Sequence, residues 1–176
     1  RLCYLGASVK SFGAYSLNND VDYLESGIPF IRGVNMKHGR VNFGDTLFIS
    51  SDAHALLWKS AVKEGVVLLS MSGTIGDVAI ATSNWSYPVN SNQDIAKIDT
   101  QGTVNPFVLY AYLLSRYGQN YLHREARGSV QQHVFLSQIE QLEVPIFAGE
   151  FANATQQVIE KSELLYLMAE KEIQTA

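Results

Sequence analysis

The stretch Val66–Thr82, VVLLSMSGTIGDVAIAT, constrains this chain more than any other. An apolar run, Val66 to Leu69, leads through Ser70 and Met71 into Ser72-Gly73-Thr74-Ile75-Gly76-Asp77, and a second apolar run, Val78 to Ala81, follows. Two short β-prone runs around a glycine-bearing turn specify a hairpin. The runs are nearly continuous in apolar character, which is the pattern of central strands covered on both faces. Leu68, Leu69, Val78 and Ile80 are expected in the core. At the tip, Gly73 and Gly76 can take positive φ and admit a close neighbour. Ser72 and Thr74 offer hydroxyls there beside bare backbone N–H groups.

The 176 residues suffice for one domain with an appendage at most. Apolar content of 47% supplies a core, and 17% charged residues argue against disorder. The single cysteine, Cys3, forms no internal disulfide, and no Cys/His spacing suits zinc. No apolar run reaches membrane-spanning length and no leader pattern opens the chain, so a reducing cytoplasm is the expected setting. The chain opens on Arg1, so a piece of a longer protein is expected. The net charge of −4 weighs against a nucleic-acid partner until its distribution is read. Residues 1–149 hold 11 Lys/Arg and 12 Asp/Glu, a balance of −1, and residues 150–176 hold 2 and 5, a balance of −3. Arg32, Lys37, His38 and Arg40 form an acid-free segment. Arg116, His123, Arg124, Arg127 and His133 form another opposed only by Glu125. Local basic patches bind phosphate whatever the total charge.

Around the hairpin, residues 1–27 read as irregular or strand-like, with a turn at Asn18-Asn19-Asp20. Ile28–Ile31 is a strand whose Pro29 sets it at a sheet edge or a strand start. Arg32–Arg40 is a polar, glycine-flanked loop, and Val41–Ile49 holds a further strand. Ser51 or Asp52 caps a helix over Ala53–Ser60 with Trp58 toward the core. Asp94–Ile98 is a strand. Asn105-Pro106 starts a helix that runs from Phe107 to Tyr117 and stops at Gly118, with Phe107, Tyr110, Ala111 and Leu114 as its buried stripe. Gln119–Ala126 is a second helix, Ser137–Glu140 a capped turn, and Leu142–Phe147 a strand. Asn153 caps a last helix in which Phe151, Ala154, Val158, Leu165 and Met168 recur at coiled-coil spacing. That helix either packs on its own domain or serves an interdomain or intersubunit contact, and the narrow stripe with charged flanks favours the second. The fold class is α+β: a small mixed domain with a central hairpin-rich sheet, flanking helices and a coiled-coil-type C-terminal helix. The expected division is 1–149 for the domain and 150–176 for the helix.

Catalytic signatures are missing. No two histidines stand at i, i+4, and no nucleophile elbow or phosphate-cradling loop with its lysine occurs. None of the seven lysines has an acid two places before it, as a metal-dependent nuclease would. Asn105-Pro106-Phe107 lacks the second proline of an adenine-methyltransferase loop. A binding module without catalysis, metal or cofactor is the expected class, with a protein-interaction scaffold as the alternative.

Four segments together resemble the target-recognition domain of a type I restriction-modification specificity subunit. They are Gly27–Asn35, the Leu68–Gly76 hairpin, Asn92-Gln93-Asp94, and Gly128–Gln132 running on through Leu136-Ser137 to Leu142, Val144 and Pro145. The resemblance implies a domain that reads half of a split DNA target, while partner methyltransferase and translocase-nuclease subunits do the chemistry. It also implies long helices that form an antiparallel coiled coil, which matches Phe151 onward, and the stripe itself is expected to serve self-association or partner binding. The pattern's second recognition domain is not found in these residues, so a fragment, a half-subunit or a fused domain is expected, with the recognition domain of a single-chain restriction-methylation enzyme as the alternative.

The side chains suited to DNA follow from their chemistry. In the Arg32–Arg40 loop, Arg32, Lys37, His38 and Arg40 suit guanine or phosphate, and Asn35 suits adenine. Gln131 and Gln132 suit base edges, and Ser129 suits phosphate, flanked by Arg127 and His133. Lys59, Ser72 and Thr74 complete the candidate set. The Arg32–Arg40 and Gly128–His133 segments are expected to form one DNA-facing surface.

Overall fold

The structure is a computed structural model that describes residues 1–11, 21–129 and 132–175. The Asn18-Asn19-Asp20 turn lies outside the described residues. In chain order the elements are β1 (Ser8–Lys10), β2 (Ile28–Ile31), β3 (Met36–Lys37), β4 (Arg40–Val41), β5 (Leu47–Ile49), α1 (Ser51–Leu56), β6 (Ala61–Val62), β7 (Val67–Ser70) and β8 (Val78–Ile80). There follow β9 (Val89–Ser91), β10 (Ile95–Asp99), α2 (Pro106–Leu114), α3 (Arg116–Glu125), α4 (Leu136–Glu140) and α5 (Gly149–Thr175). The class is α+β.

One antiparallel sheet has the order β1-β10-β7-β8 and a second has the order β5-β2-β9-β6, in which β2 and β9 run parallel. The expected hairpin forms, with Leu69 opposite Val78 and Val67 opposite Ile80. Its strands are wholly buried because the first sheet is a middle layer. Val67, Leu69, Val78, Ile80, Ala96 and Ile98 pack on one face with Phe107, Leu109, Leu113, Leu122 and Ile139 of the helices. Leu68, Ala79 and Ile95 pack on the other face with Ile31, Met36, Val41, Val62 and Val89. Each such side chain contributes about 1.5–3 kcal/mol by leaving water. Within the sheet β8 is nonetheless an edge by hydrogen bonding. A third cluster, Val21, Phe30, Ile49 and Leu57, lies on the far face of the second sheet.

Several local expectations are corrected. Of the two positions expected for Pro29, the strand start holds and the sheet edge does not: β2 is an inner strand, and Pro29 precedes the parallel pairing with β9, which begins at Phe30. Ser50 caps α1 by accepting from the Ala53 N–H at 3.0 Å, earlier than Ser51 or Asp52. α1 ends at Leu56, and with Leu57 in the core Trp58 is 66% exposed. Leu142–Phe147 forms no strand: Pro145 withholds a donor, and Leu142 spends its carbonyl on the Leu2 N–H.

The helix after Asn105 ends at Leu114, not at Gly118. Ser115 ends it and caps α3, accepting from the Gly118 N–H at 3.4 Å. Gly118 is buried where any Cβ would strike the Leu113 backbone, so its small size allows the sharp helix–helix junction. The buried residues of α2 are Phe107, Val108, Leu109 and Leu113. Leu114 is exposed and Tyr110 only half-buried, because an almost wholly apolar helix leaves its periodicity ambiguous. α4 starts at Leu136, where Gln138 accepts from the Phe135 N–H at 2.8 Å. Asn153 lies inside α5, which begins at Gly149.

Candidate nucleic-acid interface

The four sequence segments meet at one end of the middle sheet. Leaving β7, the Met71 N–H donates to the Asp94 carbonyl at 2.8 Å, and the Met71 carbonyl accepts from the Val134 N–H at 2.9 Å. Ser72 and His133 form an antiparallel bridge. The Asn92 N–H donates to the Ile31 carbonyl at 2.9 Å. The Thr74 hydroxyl lies 2.9 Å from the Ser70 hydroxyl and 3.4 Å from the Gly33 carbonyl oxygen. A Cβ on Gly33 would stand 3.1 Å from each of these two hydroxyl oxygens, so glycine permits the close approach of the two segments. The result is an open cleft of about 270 Å³ lined by Arg32, Gly33, Val34, Ser72, Gly73, Thr74, Asn92 and Asp94.

The cleft is polar and incompletely satisfied. Arg32 Nε, a donor, and Asn92 Oδ1, an acceptor, are buried with no hydrogen-bond partner among the described residues. Such orphans are uncommon in folded proteins; Arg40 Nε and Thr82 Oγ1, away from the cleft, are the others among the described residues. Beside the cleft, β3 and β4 form a hairpin in place of the expected loop. Its two turn residues, His38 (φ 53°) and Gly39 (φ 83°), both occupy the left-handed region, as a tight two-residue turn requires. Lys37 and His38 are exposed at its tip. Burial raises the Asp77 carboxyl pKa, while the Thr74 hydrogen bond and the charges of His38 and Lys37 pull it back down. The hairpin tip therefore shares an electrostatic environment with the Ser72–Asp77 turn.

The remaining candidates sort by position. Asn35 is 2% exposed; its side chain accepts from the Arg32 N–H and donates to the Asp45 carbonyl, both at 2.9 Å. It holds the backbone and is unavailable to a base, which corrects its place in the candidate set. Arg40 turns away to α5, where it donates to Ser162 Oγ at 2.6 Å and lies 3.5 Å from a Glu163 carboxylate oxygen. Thr74 works as an internal tie. Lys59 stands apart, beside Trp58 on another face.

Arg127 and His133 exchange backbone hydrogen bonds at 2.9 and 2.7 Å, closing a loop that carries exposed Ser129 and Gln132. Gln131 lies outside the described residues. Arg127 is 3.8 Å from Glu125, which also pairs with Arg124 at 3.2 Å. Of the candidates, Arg32, Ser72 and Thr74 thus line the cleft, His133 is bridged to Ser72, and Lys37 and His38 lie within electrostatic range of Asp77. Asn92 and Asp94 belong to the cleft and were missed as site residues. Their signal was a polar Asn-Gln-Asp immediately ahead of an apolar strand.

Of the expected assembly stripe, Phe151, Ala154, Val158, Leu165 and Met168 are all exposed. The opposite side of α5 packs on the domain through Ile159 and through Glu163, which accepts from Trp85 Nε1 at 3.3 Å. The helix therefore docks on its own domain, the first of the two expectations, and leaves this stripe exposed. Among the described residues no helix is long and apolar enough to cross a membrane.

Residues 9–161 match the family model described as type I restriction modification DNA specificity domain. Among curated proteins no sequence matches. Three solved structures share the fold. A chain from a study of complex assembly and conformational transition of the type I R-M system aligns with TM-score 0.63 and 15% identity, covering 99% of this chain and 41% of that one. The type I restriction-modification S subunit from M. genitalium aligns with TM-score 0.61 and 15% identity over 93% of this chain and 38% of its own. The HsdS subunit from Thermoanaerobacter tengcongensis aligns with TM-score 0.53 and 14% identity over 96% and 38%. This chain thus spans about two fifths of the length of the solved chains that it matches. With most of its length matched by the family model and its fold shared with S subunits, the chain belongs to the family of type I restriction-modification DNA specificity domains.

Proposed function

We propose that the chain is a non-catalytic DNA-recognition module that reads one half of a bipartite duplex target. One observation carries the reading: three separated segments converge on a single cleft that holds a buried donor, Arg32 Nε, and a buried acceptor, Asn92 Oδ1, without partners among the described residues, and a fourth segment is bridged to it at Ser72. Lys37 and His38 at the neighbouring hairpin tip supply phosphate contacts, and Gln132, with Ser129, approaches base edges and backbone from the Arg127–His133 loop. Residues 150–176 act as a spacer helix whose exposed stripe joins a partner helix. Through it the domain directs methyltransferase and restriction subunits in the cytoplasm. Selection from random duplexes by the assembled complex is the test. Enrichment of one short half-site supports the reading. Equal recovery of all sequences, or binding with no salt dependence, would instead favour a protein-interaction scaffold working through the α5 stripe.

A further inference from the structure

A second basic site lies at the other end of β10. Asp94, at the cleft, immediately precedes β10 and Asp99 ends it, a separation of roughly 17 Å at about 3.3 Å per residue. At the Asp99 end is a cavity of about 440 Å³ whose lining includes Lys10, Lys59, Lys63, Lys97, Trp58 and Asp99. Lys10 and Lys97 are register partners on adjacent antiparallel strands, so their side chains stand on the same face. Like charges directly opposite are destabilising. Lys97 is also buried, and its ammonium donates only to neutral acceptors, Ser91 Oγ at 2.7 Å and the Ile95 carbonyl at 3.2 Å. No ion pair joins Lys10, Lys63 or Lys97 to a carboxylate among the described residues. Asp99, the one acid among the described residues of the lining, accepts from the Gln101 N–H at 3.0 Å. Among the described residues of the lining, the exposed Lys10 and Lys63 ammonium groups outnumber the single Asp99 carboxylate, with Lys97 beside them, a balance that favours an anion.

We propose that this cavity binds a nucleotide unit, its phosphate held by Lys10, Lys63 and Lys97 and its base stacked against the exposed ring of Trp58. An ammonium group is a competent phosphate partner as a point charge, and an aromatic ring beside a basic groove accepts any base face. The site is separate from the cleft between the hairpin tips, and it does not depend on the reading proposed for that cleft. The nucleotide comes either as a free nucleoside polyphosphate or as part of a nucleic-acid strand.

The test titrates the chain with ATP, with a single-stranded dT oligonucleotide and with a scrambled duplex, reading Trp58 fluorescence and heat of binding. A Trp58→Phe variant identifies the signal. Saturation by ATP alone assigns a free nucleotide, and saturation by either nucleic acid assigns a strand; both support the site. Lys10→Ala and Lys63→Ala, at exposed positions, should each weaken binding roughly five- to tenfold, a loss of about one charge-assisted contact. Lys97→Met, which keeps the buried stem, should do the same if it folds. Failure of all three ligands to saturate overturns the proposal, as does unchanged affinity in the Lys10 and Lys63 variants.

Discussion

Arg40, on the β3–β4 hairpin, and Glu163, on α5, are 3.5 Å apart, and the same Glu163 accepts from Trp85 at 3.3 Å. The Arg40 guanidinium also lies 4.7 Å from the centre of the Tyr166 ring. One hairpin thus carries exposed Lys37 and His38 and is fastened to the long helix through Arg40, the register partner of Lys37. Removing the carboxylate with Glu163→Ala should cost about 2 kcal/mol, between the limits for exposed and fully buried pairs. Chemical denaturation checks this; a change below about 0.5 kcal/mol would show the latch to be ornamental.

The outward stripe of α5 should behave differently. Leu165 and Met168 are 57% and 54% exposed. Leu165→Glu with Met168→Glu should leave the unfolding midpoint of the domain nearly unchanged while weakening self-association or partner binding. Ile159→Glu, on the docked side, should unfold it. Sedimentation velocity and circular dichroism together separate the cases, and unfolding by the double variant would place the stripe in the domain's own core.

Asn35 and Lys37 stand two residues apart and should give opposite phenotypes. Asn35→Ala removes two buried hydrogen bonds and should cost about 1–3 kcal/mol of stability with base preference intact. Lys37→Ala should leave stability unchanged, weaken duplex binding across sequences and flatten the salt slope by about one unit. Parallel denaturation and binding titrations decide. A shift in base preference on Asn35→Ala, in protein that remains folded, would return Asn35 to the recognition surface.

Burial lowers the Lys97 pKa from 10.5 to about 7. Between those values the unfolded chain binds more protons than the folded one, so stability should rise with pH across that window, at no more than about 1.4 kcal/mol per unit. Below it both states are charged, and the full cost of the buried ammonium is present. Tyr87, pushed up to about 12 by burial, opposes the trend above pH 10, so the measurement belongs below that. Lys97→Met should flatten the profile; parallel curves for both proteins would mean that Lys97 stays solvated when folded.

The sequence by itself determined the elements whose signals are local. The Val66–Thr82 hairpin follows from two apolar runs around paired glycines, and the start of α2 from an Asn-Pro cap, because strand pairing across a short turn and N-capping need only neighbours in the chain. The heptad-like spacing of Phe151 to Met168 survived for the same reason. Tertiary structure decided what those elements face. Asn35 and Lys37 look equally suited to DNA in sequence, and only the fold turns one inward to Asp45 and the other outward. Arg40 and Glu163 are too far apart in sequence to suggest a pair. Trp58 faces outward because the helix ends at Leu56 and a separate turn follows, with Leu57 in the core. The convergence of Arg32, Ser72 and Asn92 on one cleft was set by long-range strand pairing, which no local pattern encodes.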